Sequence, residues 1–137
     1  RLLVMQRAAL RVAITHFGHA IAGLQLGPVG DSLVVECIER CRALEHVRVE
    51  RAGSSSAVVS AVSRSVYKAS LSSLELDECP PLQASIFARL AEGFNALETL
   101  VIGSLAPVDS ATFRTVVDAL APTLTSLTIG GGSSLTA

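Results

Sequence analysis

Apolar residues recur in one hexad, apolar-x-x-apolar-x-apolar, at five places along the 137-residue chain. The hexads run from Ile21 to Leu26, Leu44 to Val49, Leu71 to Leu76, Leu97 to Ile102 and Leu124 to Ile129. Their starts at 21, 44, 71, 97 and 124 are separated by 23, 27, 26 and 27 residues. The alternation that closes each hexad has the period of a strand with one buried face. Between hexads the period lengthens to that of a helix. Leu10, Ala13, Ile14 and Phe17 fall at i, i+3, i+4 and i+7. So do Val34, Cys37, Ile38 and Cys41, then Val59, Val62, Ser63 and Val66, then Phe87, Leu90, Ala91 and Phe94, then Phe113, Val116, Val117 and Leu120. Each stripe stops a few residues short of the next strand, which leaves room only for a tight turn. Asp31, Ser56 and Asp109 or Ser110 stand where N-caps are expected. Pro80-Pro81 delays the fourth helix to about Gln83.

A strand that reaches the next strand through a helix must run parallel to it, because a hairpin leaves no room for the crossover. One strand–helix unit cannot bury both its faces alone, whereas stacked units share a continuous core. The spacing therefore predicts an α/β solenoid of about five units of 23–27 residues. Its parallel strands line the concave side and its helices the convex side.

The segment Leu71-Ser72-Ser73-Leu74-Glu75-Leu76-Asp77-Glu78-Cys79 matches Leu-x-x-Leu-x-Leu-x-x-Asn/Cys, and Cys41 precedes Leu44 by three residues. On these residues the chain resembles leucine-rich repeat proteins, specifically the long ribonuclease-inhibitor-like and F-box-type cysteine-containing repeats. At the Asn/Cys position the other units carry Val29, Ala52, Leu105 and Gly132. The resemblance implies a horseshoe segment whose job is protein–protein interaction, one form being the substrate-recognition part of an F-box-like adaptor. The whole of 1–137 reads as a single leucine-rich repeat domain. Its start at Arg1 and its Gly130–Gly132 run near the end suggest a fragment of a longer chain.

Composition narrows the classes. Half the residues are hydrophobic and 17% are charged, with 11 Lys+Arg against 12 Asp+Glu. That is too apolar for a disordered chain and lacks the basic excess that phosphate binding needs, so nucleic acid is not an expected partner. Val12 to Gly30 is long enough to cross a bilayer, but its histidines, Gln25, Pro28 and glycines speak against a span. Three cysteines without a tight pair point to an intracellular chain of unknown compartment rather than a disulfide framework.

Alternation along the strands sets three ladders on the concave face. They are Gly23, His46, Ser73, Thr99, Ser126; then Gln25, Arg48, Glu75, Val101, Thr128; then Gly27, Glu50, Asp77, Gly103, Gly130. Arg48 beside Glu75 is a favourable cross-strand pair and Glu50 beside Asp77 an unfavourable one. The expected partner-binding residues are His46, Arg48, Glu50, Ser73, Glu75, Asp77, Thr99 and Val101, with Val101 standing exposed. Among them Glu50, Glu75 and Asp77, edged by Arg48 and His46, form a small acidic patch suited to a basic or amide-rich protein segment; the other reading of the same residues is an ordinary solvated sheet face. A subunit held in a large assembly is the alternative role.

Other chemistry is thinly supported. Cys37, Cys41, His16 and His19 could approach one another on neighbouring helices, but the two cysteines sit on an apolar stripe, where Cys behaves as a small hydrophobe. Gly53-Ser54-Ser55-Ser56-Ala57 approximates a nucleophile elbow, yet every histidine precedes it and a helix cap explains the serines. No phosphate-binding glycine loop is present. Neither a metal, a cofactor nor an enzymatic activity is expected.

Overall fold

The computed structural model describes residues 2–3, 16–28 and 30–130. Every hexad enters its strand at its third position, giving β2 (Gly23–Leu26), β3 (His46–Glu50), β4 (Ser73–Asp77), β5 (Thr99–Ile102) and β6 (Ser126–Ile129). A further strand, β1 (Leu2–Leu3), pairs Leu2 with Gly23 and Leu3 with Leu24. It escapes the hexad pattern because the first apolar position would fall before Arg1. The six strands form one parallel sheet in sequence order.

One backbone device repeats at each junction from β2 onward. The carbonyl of the second hexad residue accepts two N–H groups of the next unit: Ala22 from Glu45 and His46, and Glu45 from Ser72 and Ser73. Ser72 then accepts from Glu98 and Thr99, and Glu98 from Thr125 and Ser126, all at 2.7–3.1 Å. The hydroxyls of Ser72 and Thr125 add a bond of 3.0 Å to the same acceptors. A constant step in sequence thus becomes a constant register in space, since each unit's entry into its strand is pinned to the one before it.

Helices α1 (Asp31–Arg40), α2 (Ser55–Ser63), α3 (Ala84–Phe87) and α4 (Ser110–Leu120) carry the chain from each strand to the next from β2 onward. They cover one face of the sheet. Leu24, Leu26, Val47, Val49, Leu74, Leu76, Leu100 and Ile102 are at most 1% exposed and share one core with the helical stripes. The stripes of α1, α3 and α4 contribute Val34, Cys37, Ile38, Phe87, Leu90, Val116 and Leu120 to that core as expected, and Phe87 stacks on Phe113 with centroids 6.0 Å apart. The third stripe behaves differently. Val59 and Val62 are buried, but α2 stops at Ser63, so Val66 is 83% exposed and Tyr67 takes the inward place. Ser63 and Ser65 bond the carbonyls of Ser60 and Val62, competing with further helical turns. Phe17 is likewise 56% exposed, while Leu10, Ala13 and Ile14 lie outside the described residues. After α3 the backbone tightens into a 3₁₀ turn at Ala88–Ala91, so the fourth stripe is only partly α-helical.

Capping also departs from expectation at two of three places. Ser54, not Ser56, caps α2 by accepting from Ala57 N–H at 3.1 Å. Gly30 precedes α1, whose first residue Asp31 turns its carboxylate to Gly53 N–H at 2.7 Å, tying two units together. Asp109 caps α4 as expected, and the Thr112 N–H that it accepts holds its carboxyl below the usual range.

Burial has a measurable consequence at high pH. It pushes the Cys41 thiol up from 9.0 to about 11, and it also raises the Tyr67 phenol, whose O–H donates to Ile38 O at 3.0 Å. Both groups are neutral in the folded state at pH values where the unfolded chain has already lost the proton. The contribution of Cys41 is therefore complete below pH 9 and is lost as pH rises through 11, while that of Tyr67 persists to higher pH. Denaturant melts should show flat stability from pH 7 to 8.5 and a loss of about 2 kcal/mol by pH 11. Stability that holds constant to pH 11 would contradict the burial of these groups.

Candidate functional site: the open face of the sheet

None of the described elements covers the face opposite the helices, and the pairing register builds it. His46 pairs with Ser73 and Ser73 with Thr99, while Arg48 pairs with Glu75 and Glu75 with Val101. The first two ladders therefore stand as expected, from Gly23 to Ser126 and from Gln25 to Thr128. The third shrinks to Glu50 and Asp77, because Gly27, Gly103 and Gly130 lie past their strand ends. Gly103 is there for room: a Cβ at that position would sit 2.9 Å from Leu76 O and 3.1 Å from Glu78 N.

Two neighbouring hollows divide the eight expected residues between them. One, of about 540 Å³, is lined by Arg48, Glu50, Asp77 and Val101 together with Arg51, Glu78, Gly103 and Thr128. The other, of about 330 Å³, is lined by His46, Ser73, Glu75 and Thr99 together with Ser72 and Glu98. Ser73 is 9% exposed, so it belongs to the floor of the smaller hollow rather than being a free surface group. Val101 is half-buried instead of exposed, flanked by the charged side chains of the larger hollow.

Electrostatics differ from the sequence reading. Among the described residues the Arg48 guanidinium makes its ion pairs with Asp77 and Glu50, not with Glu75, its neighbour in register. Its Nε lies 2.5 Å from Asp77 Oδ2, diagonally across the sheet, and its terminal nitrogen 3.6 Å from Glu50 Oε1. One guanidinium thus separates the two carboxylates that register places side by side, which removes the repulsion expected between them. Nearest-neighbour reasoning misses this because a long side chain spans the diagonal spacing as easily as the direct one. The hydrogen bond and charge of Asp77 in turn hold Arg48 more firmly protonated. Among the described residues Glu75 forms no ion pair; it accepts the Ser73 hydroxyl at 3.4 Å, and its charge adds to those of Asp77 and Glu50 in holding Arg48 protonated. Of the carboxylates lining the two hollows, Glu75 and Glu98 are therefore the two without an ion pair among the described residues, whereas Glu50 and Asp77 share Arg48.

Sequence reasoning missed Glu98, Arg51 and Glu78. Glu98 sits at the second hexad position, just before its strand, where alternation assigns no face. Arg51 and Glu78 follow β3 and β4 at equivalent places with φ of 51° and 52°, a left-handed backbone uncommon for such residues, and pair at 3.3 Å across the rim. Nothing in their residue types signals that conformation.

The remaining candidates resolve into structure. Cys37 and Cys41 are buried in the core, while His16 and His19 are exposed, and among the described residues no group of three His, Cys, Asp or Glu is placed to hold a metal. In the serine run, Ser54 caps α2 and the Ser55 hydroxyl donates to Pro80 O at 2.5 Å. Cys79 is buried with its thiol 3.3 Å from Asp77 O and 3.6 Å from Val49 O, and burial raises its pKa. No described helix is long and apolar enough to cross a membrane. Comparison with known proteins finds no matching family model, no matching curated protein and no matching solved structure.

Proposed function

We propose that this chain is a segment of a leucine-rich repeat solenoid and works as a non-catalytic scaffold that holds a protein partner on its open sheet face. The observation that carries this reading is the convergence of His46, Arg48, Glu50, Ser73, Glu75, Asp77, Thr99 and Val101 on two adjoining hollows of one uncovered face. Support for the repeat class comes from the constant two-on-one junction and from the Cys79 thiol, which reaches the Val49 carbonyl of the preceding unit.

The preferred partner is a basic extended segment. Its cation pairs with Glu75 and Glu98 in the smaller hollow, whose lining residues include no Arg or Lys. Its neighbouring backbone lies over Val101 and Thr99. Single exposed ion pairs contribute at most about 1 kcal/mol, so affinity arises from several such contacts and the shape of the two hollows together.

A labelled Lys/Arg-rich peptide, titrated into the full chain by fluorescence anisotropy, tests the reading. Reversing Glu75 and Glu98 together to Lys should weaken binding well over about tenfold, because each reversal removes an attraction and adds a repulsion. Unchanged affinity, or no saturable binding by the wild type, would remove the open face from the account.

A further inference from the structure

The edge of the molecule where helices end and strands begin carries the opposite character to the open face. A hollow of about 300 Å³ opens there, with Cys41, Ala61 and Tyr67 as its apolar floor and Arg42, Arg64 and Val66 among its rim. The floor residues are at most 3% exposed, whereas Val66 is 83% exposed. Arg42 and Arg64 are exposed and make no ion pair among the described residues. Glu39 is the only carboxylate among the lining residues. Phe17 stands at the same edge: its neighbour Gly18 packs so closely on the Arg40 carbonyl that a Cβ would lie 3.0 Å from it.

Cations near the C-terminal ends of α1 and α2 are partly explained by the helix dipole. That explanation leaves out Val66 and Phe17. Among the described residues three large hydrophobic side chains are exposed, Phe17, Val66 and Leu127, and two of them stand here. An apolar centre inside a charged rim is the anatomy of a protein-binding patch. We infer that this edge is a second docking surface, separate from the open face, and that it takes an acidic segment of a partner protein presenting one apolar side chain. The apolar side chain enters the hollow beside Val66, and flanking carboxylates pair with Arg42 and Arg64. An anionic membrane is the lesser fit, since the hollow accepts one side chain and the cations ring it rather than spreading over a plane.

The test uses a short labelled peptide of Glu and Asp with a single central Leu, followed by anisotropy at low and at physiological salt. Saturable, salt-sensitive binding by the wild-type chain is expected. Arg42→Glu with Arg64→Glu should weaken it by more than about tenfold. Val66→Asp, and a peptide with Ser in place of Leu, should each weaken it severalfold. The open-face variant Glu75→Lys should leave it unchanged, so this surface and the other can fail independently. All three substituted side chains are solvent-exposed, so the variants keep the fold, and circular dichroism checks this. The inference is overturned by any of three results: no saturable binding, equal affinity for the double arginine variant, or binding to phosphatidylserine vesicles without binding to the peptide.

Discussion

Leu74→Ala should destabilise the chain by about 3 kcal/mol, and Leu127→Ala by less than about 1 kcal/mol, although both leucines occupy the fourth position of a hexad. Leu74 is 0% exposed, pairs with Val47 on one side and Leu100 on the other, and lies under the helices. Truncating it removes buried methyl groups and leaves a void that neighbours pinned by the two-on-one junctions cannot close. Leu127 pairs with Leu100 and is 36% exposed, so truncation there removes side-chain atoms already in contact with water. Urea melts of the two variants measure the difference. Similar losses would mean that the stack does not distinguish interior from edge as the burial pattern requires.

A second large effect is expected at Gly103, where Val should cost roughly 2–3 kcal/mol. The atoms a Cβ would meet are backbone atoms of the preceding unit: Leu76 O at 2.9 Å, Cys79 N at 3.0 Å and Glu78 N at 3.1 Å. A flexible side chain could move aside; these atoms are fixed by β4 and by the left-handed turn at Glu78. Accommodation must separate β5 from the exit of β4, which also opens the larger hollow. Gly27, with nothing within 4 Å of a Cβ, serves as the control and should tolerate Ala with little change. A melt showing equal tolerance at both glycines would contradict the close approach of neighbouring units.

Strand placement was legible because two periods act together. The period of two within each hexad assigns faces, and the near-constant step assigns neighbours, so His46 falls beside Ser73 and Thr99 with no further information. Helix ends were not legible. The stripe through Val59 and Val62 continues by spacing to Val66, but local serine hydroxyls bond the helix carbonyls first and Tyr67 fills the inward place. Capping failed for a related reason: Ser54 and Ser56 are chemically equivalent, and only the backbone angle at the turn selects between them. The partner of Arg48 was hidden because pairing in sequence names the residue opposite, whereas a guanidinium reaches the diagonal. Glu98 was missed because alternation starts one residue too late to place it.

The central claim is that units spaced by about 26 residues lie side by side in a single parallel register and leave one face bare. Backbone NOEs in an isotopically labelled sample test it most directly. Sequential cross-strand contacts from His46 to Ser73, from Ser73 to Thr99 and from Thr99 to Ser126, with none joining His46 to Thr99, are the expected result. Contacts between non-adjacent hexads, or an antiparallel pattern at any of these three junctions, would contradict the account and dissolve both hollows of the open face with it.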